Sequence, residues 1–395
     1  MALSVDLKGY FMYYCLVRQR EISRRLACTS QRHTAIPLFT LRIMRISLLS
    51  LLIAIASPVL LRGQSPGYDY WGAFPYLGDE KGTYYITISG DTASVVTITT
   101  VNGTQSYSVS AGSPVSISFT PFPTADEQIG TGSILIHSGH HIIADLFYYE
   151  PTQCEATLLR EAATLGNQYS VLTEPSMPEF LIVAPSNNTQ ITIIPTSQTL
   201  NGSPKGTPIN VTLQSGDVYE VQGIASPQSD FSGTTIESNN PVAVFTGNSD
   251  NYIPSNVCCA NPLYEELPPT GTWCTTYYTV PFAVRKNGDA FRILAATNGT
   301  NVSINNGPPV VLNQSQPYDI VLTQASLIQA SSPVLVAQCS HSGYYDDIVL
   351  SGTDIALGDP SLLFVPPSSQ TTSNTVFTVP NTNNQFTVNY LNVVW

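Results

Sequence analysis

The stretch ILIHSGHHIIADLF, residues 134–147, puts three histidines into five positions. His137, His140 and His141, with Asp145 downstream, are residue types that hold zinc, and zinc-bound water would make the chain a metal-dependent hydrolase. Zinc needs three or four ligands converging within about 2.0–2.3 Å. Adjacent residues of a strand point to opposite faces, so His140 and His141 would diverge there. The sequence holds no nucleophile elbow, phosphate loop or helical histidine pair. What the histidines can do therefore depends on the element that carries them.

That element occurs three times. ILIHSGHHIIADLF aligns without gaps on TTIESNNPVAVFTG from Thr234 and SLIQASSPVLVAQC from Ser326. His137 falls on Glu237 and Gln329, His140 on Asn240 and Ser332, and His141 on Pro241 and Pro333. Asn-Pro and Ser-Pro are turn formers, because proline fixes its own φ and keeps the preceding residue extended. The histidines thus read as decoration of a hairpin turn, with no catalytic, metal-ligating or cofactor-binding residue.

Two further blocks repeat. YYITISGDTASVVTIT from Tyr84, EFLIVAPSNNTQITII from Glu179 and AFRILAATNGTNVSIN from Ala290 read as strand, turn, strand. TQSYSVSAGSPVSIS from Thr104, PINVTLQSGDVYEVQ from Pro208 and GPPVVLNQSQPYDIV from Gly307 read as hairpins bending at Gly112, Gly216 and Ser315. About six short strands in roughly 100 residues is the size of an immunoglobulin-like sandwich. A propeller blade has four strands. The expected fold is all-β, made of tandem antiparallel β-sandwich-like repeats over 66–168, 169–276 and 277–375, with a β-propeller as the alternative. CEATLLREAATLG, residues 154–166, is the one helix-like segment, ending at a glycine cap. Residues 376–395 repeat a unit's opening and read as the start of a truncated fourth copy.

The N-terminus has another character. Residues 44–65, MRISLLSLLIAIASPVLLRGQS, have the layout of a secretory signal peptide: a basic start, an apolar run, a proline and small residues. Met44 reads as the start, with 1–43 a gene-model extension. If Met1 is the start, the segment is an uncleaved anchor, the one way this chain would meet a membrane. Six basic and 25 acidic residues follow Ser65, a net charge of −19. Such a chain repels phosphate backbones, which excludes nucleic acid as a partner class.

In a secreted chain, Cys154, Cys258, Cys259, Cys274 and Cys339 are disulfide candidates, and their odd number leaves one free or paired outside. Asn102, Asn187, Asn201, Asn210, Asn298, Asn301 and Asn313 head N-glycosylation sequons. LFYYEPTQC, GNSDNYIPSNVCC and CSHSGYYDD follow the third block of each copy and couple tyrosine to acid. Tyrosine joins a large rigid face to a hydroxyl, so Tyr148, Tyr149, Tyr252, Tyr344 and Tyr345 are candidates for a repeated partner-binding row. The competing reading has one tyrosine of each pair packing inward.

NPLYEELPPTGTWCTTYYTVPF (residues 261–282), following NNPVAVFTGN and Cys258–Cys259, resembles the N-terminal domain family of the IgGFc-binding protein. Tyr264 stands where that family would place a histidine. The resemblance implies a secreted, non-enzymatic, β-rich module of mucin-like and adhesive extracellular proteins. The expected function is an extracellular binding or adhesion module that recognises a glycoprotein, mucin or cell-surface partner through protein or glycan contacts. A structural matrix protein without a specific ligand is the alternative.

Overall fold

The computed structural model describes residues 3–4, 68–77, 82–122, 124–283, 285–346, 358–370 and 392–393. The signal-like segment 44–65, and nearly all of the extension and of the fourth-copy segment, lie outside them. Leu3–Ser4 (β1) and Asn392–Val393 (β25) pair as a two-residue ladder. All strand pairings among the described residues are antiparallel.

The first sandwich shows the plan. One sheet holds Tyr68–Gly72 (β2), Ile134–Ser138 (β8), Ser94–Thr100 (β4) and Gly103–Val109 (β5), in that order. The other holds Gln153–Leu158 (β10), Ile143–Glu150 (β9), Thr83–Ser89 (β3) and Val115–Phe119 (β6). Ile98 and Ile136 from the first sheet meet Ile86 and Leu146 from the second in one buried cluster.

The second copy uses the same neighbours. Gly166–Ser170 (β11), Thr189–Ile194 (β13) and Ile209–Leu213 (β14) take the first sheet. Pro178–Val183 (β12), Val218–Gln222 (β15) and Asn261–Glu266 (β17) take the second. Thr235–Asn251 (β16) runs through both, pairing with β11 and β13 over its first residues and with β12 and β17 beyond. The third copy repeats this with Cys274–Thr279 (β18), Asp289–Ala295 (β19), Thr300–Ile304 (β20), Val310–Leu312 (β21), Tyr318–Leu322 (β22), Ser326–Ser340 (β23) and Ser361–Phe364 (β24). Ile129–Gly130 (β7), from the first copy, adds to the edge of β15. The expected all-β architecture of sandwich-like repeats is the observed one.

Three local readings need correction. His140 and His141 do not sit in a hairpin. β8 pairs with β2 and β4, whereas β9 pairs with β3 and β10, so the chain changes sheets there. In the other copies the same place is the middle of a continuous strand. The bends at Gly112, Gly216 and Ser315 likewise turn the chain between sheets. Their φ values are +67°, +89° and +61°, so the left-handed bend was placed correctly while the partner was not. CEATLLREAATLG is no helix. β10 pairs along β9 from Cys154↔Tyr149 to Leu158↔Asp145, and only Ala162–Thr164 forms a 3₁₀ turn. Pairing with an available sheet edge outweighed a weak helical preference.

The cores interlock. Along β12, Phe180 and Ile182 face the second core, while Leu181 and Val183 pack into the first. All six β12 residues are buried, which explains the unbroken apolar run FLIV. β13 exposes Gln190 and Ile194 and buries Ile191 and Ile193, and it alternates accordingly. Leu294, Leu335, Leu362 and Phe364 of the third copy enter the second core. Arg292 is tied to Asp319 of its own copy at 2.7 Å and to Asp230 of the second at 3.2 Å, and it donates to the Thr173 carbonyl.

Gly247 lies where β16 meets β17. A Cβ there would stand 1.7 Å from the Leu263 carbonyl oxygen, a backbone atom that cannot swing aside. Gly247→Ala should cost about 3 kcal/mol or prevent folding. Gly271→Ala meets no atom within 4 Å and should be close to neutral. Urea denaturation midpoints of the two variants test the difference.

Candidate functional site

The histidines do not converge. His137 Nδ1 meets Asp69 Oδ1 at 2.6 Å, and the two residues are direct cross-strand partners of β8 and β2. His141 Nδ1 meets Glu161 Oε1 at 2.6 Å, and its ring lies against Tyr68 at a tilt of 34°. His140 is exposed, and its backbone N–H donates to Ser138 Oγ. Among the described residues no three His, Cys, Asp or Glu side chains form a metal-ligand group.

The loops that follow β9, β16 and the end of β23 do come together, and one buried side chain joins them. Asn261 Oδ1 accepts the Cys154 N–H at 3.0 Å. Its Nδ2 donates to the carbonyls of Cys154 at 2.8 Å, Pro262 at 3.0 Å and Pro360 at 2.8 Å, so it touches all three copies. Gln153 Nε2 donates to the Ala260 carbonyl, and Ile253 and Ser342 exchange bonds between the second and third loops.

This cluster sorts the candidate tyrosines. Tyr148 is 1% exposed, packed against Tyr84, and belongs to the first core, so it is no contact residue. Tyr149, its neighbour, points the other way and is half-buried. Tyr252 and Tyr344 are 44% and 38% exposed. Tyr345 is half-buried and stacks on His341, with ring centroids 3.6 Å apart. The acid of the third loop is structural: Asp346 is buried, pairs with Arg285 at 2.8 Å and accepts the Asn287 N–H.

The cysteines scatter. Cys339 is buried in the second core, 3.7 Å from a Glu174 oxygen, and Cys274 is buried beside Ser369. Cys154 sits on β10, where burial drives its thiol pKa far up. Cys258 and Cys259 have sulfurs 2.7 Å apart on the second loop.

All seven sequon asparagines are exposed. Some also have a structural task that sequence reading missed. Asn187 Oδ1 accepts the Ser215 N–H, and Asn298 Oδ1 accepts the Gln314 N–H at the matching place one copy later. Each clasps the positive-φ bend at Gly216 or Ser315.

Sequence reading also missed a group of carboxylates where the three copies meet. Glu155 on β10 and Glu266 on β17 are buried, and Glu265 is half-buried beside them. Thr157 Oγ1 accepts the Glu266 N–H and donates to the Glu265 carboxylate. Burial pushes the pKa of Glu265 and Glu266 up to about 8, and the charge of Arg160 offsets only part of this. A second pair, Glu179 and Glu220, lies on neighbouring strands β12 and β15. Burial raises both, with Glu220 pushed up to about 8. The available signal was EELPP in a chain so poor in basic residues that no counter-charge was in sight.

The family model for IgGFc binding protein matches residues 155–395. The human (Homo sapiens) IgGFc-binding protein is 30% identical to this chain over 197 residues, which is 48% of the chain and 4% of that protein. The chain thus spans a small fraction of that relative's length. No solved structure matches.

The buried carboxylates set a pH dependence. Glu220, Glu265 and Glu266 titrate near 8 when folded, against an ordinary 4.5. The folded chain holds more protons between those values, so this stabilisation is complete below pH 4.5 and is lost as pH rises through 8. His341 is pushed down to about 4 by burial and acts oppositely: its contribution is present above 6.5 and is lost towards 4. Between pH 6.5 and 8 the carboxylates dominate. Raising pH across that window should lower stability by on the order of 1 kcal/mol per fully buried carboxylate, less for the more exposed Glu265. Scanning calorimetry should show Tm falling from pH 6.5 to 8.5, and less steeply in Glu220→Gln. A flat or rising Tm would contradict this.

Proposed function

The chain belongs to the IgGFc-binding protein family, and on that premise we propose that it is a secreted, non-catalytic binding and adhesion module. Its partner is an extracellular glycoprotein or mucin that docks on the joined loops of the three copies. The observation that carries this reading is the four-bond anchorage of Asn261, which holds loops from all three copies in one place. Tyr252 and Tyr344 are exposed in those loops, offering rigid aromatic contact area at low entropy cost. The seven exposed sequons suit an extracellular setting, and their glycans would lie on the surface.

The family is one of binding proteins, and His137 and His141 are engaged with separate carboxylates, so a binding role fits better than hydrolysis. The human relative is named for binding the Fc part of immunoglobulin G, and here an immunoglobulin is one partner to be tried among others.

Surface plasmon resonance of the full chain against purified mucin and against immunoglobulin G tests the proposal. Tyr252→Ser with Tyr344→Ser should weaken the binding seen at least 10-fold, in line with aromatic hot spots, and leave Tm within about 2 °C of the parent. Unchanged affinity would place docking elsewhere. No saturable binding to any glycoprotein would return the chain to a spacer role.

A further inference from the structure

A cavity of about 180 Å³ opens where the three copies meet. Leu159 and Glu161 reach it from the end of β10, Glu265 and Glu266 from β17, and Phe364 from β24, while Trp273 walls it. Its lining mixes apolar side chains with carboxylates. Such a combination is what fixes the orientation of a small ligand.

The carboxylates are unevenly satisfied. Glu161 Oε1 meets His141 Nδ1 at 2.6 Å. Glu266 Oε2 accepts the Arg160 N–H at 2.6 Å. Glu266 Oε1 is fully buried and has no hydrogen-bond partner among the described residues. Glu266 is 2% exposed and lines the cavity. A buried oxygen of this kind destabilises the fold, and more so when charged, until a donor reaches it.

We propose that this cavity binds a protonated primary amine carried on a short apolar stem, with Glu266 Oε1 accepting from the ammonium and Trp273, Leu159 and Phe364 enclosing the stem. Size supports the class. A cavity of roughly 150 Å³ takes a benzene-sized guest, whereas drug-sized ligands need about 300–1,000 Å³. Charge supports it too. The carboxyl groups of Asp91, Glu161, Glu265 and Glu266 outnumber the basic groups of Arg160 and His141 in the lining, leaving an excess of acid. A free alkylamine and the lysine side chain of a bound protein share this chemistry. The site is separate from the tyrosine-bearing loops and does not depend on what docks there.

Calorimetric titration of the full chain with n-pentylammonium, 1-pentanol and pentanoate tests the proposal. One site should saturate with the ammonium, bind the alcohol at least 10-fold more weakly and reject the carboxylate. Glu266→Gln should lower ammonium affinity at least 10-fold and leave the alcohol unchanged. Nα-acetyl-lysinamide binding as tightly as pentylammonium supports the site with a protein-borne lysine as its occupant, and weaker binding supports it with a free amine. Equal affinity for ammonium and alcohol, or no saturation in the parent chain, would overturn it. That contrast needs no variant and holds if Glu266→Gln fails to fold.

Discussion

A strand that belongs to two sheets at once constrains everything else in this molecule. β16 satisfies its backbone groups against β11 and β13 in its first part and against β12 and β17 in its second. β23 does the same in the third copy. Every buried N–H and C=O needs a partner, so the bend of this strand fixes the angle between its sheets. The proline at Pro241 or Pro333 stands at the handover, where no ladder donor is called for. In the first copy the handover is broken by Gly139, His140, His141 and Ile142, and the two halves become separate strands.

Because the second sheet of the second copy is buried on both faces, the copies share cores as well as a plan. That arrangement uses apolar side chains where a strand elsewhere would show polar ones. It also creates the places where polar groups must be handled one by one. Arg292 is surrounded by Asp319, Asp230 and Glu174, and Asn261 spends all its hydrogen-bonding capacity on backbone. The carboxylates Glu155, Glu179, Glu220 and Glu266 are less completely matched, each retaining an unpartnered oxygen.

Much of this was legible beforehand. The threefold repeat, the strand content and the bends at Gly112, Gly216 and Ser315 all follow from local pattern and turn chemistry. Partner choice was not legible. An alternating segment states that it has a buried face, and it does not say which strand lies beside it, so sheet changes looked like hairpins. The tyrosine pairs show the same limit. Adjacent residues of a strand face opposite ways, so one of Tyr148 and Tyr149 had to turn inward, yet only the structure shows that Tyr148 does. The acids of EELPP carried a family likeness in the sequence. Their burial beneath a neighbouring copy depends on packing between units that no local pattern encodes.

Native-state amide hydrogen exchange along β16, compared with β8 and β9, bears most directly on the shared strand. The backbone amides of 235–238 and of 243–248 should open with one common free energy, because neither sheet can release the strand alone. In the first copy, where the strand is divided, β8 and β9 should open with separate free energies. Independent opening of the two parts of β16, differing by more than about 2 kcal/mol, would show that the sheets are not coupled through it and would contradict the account.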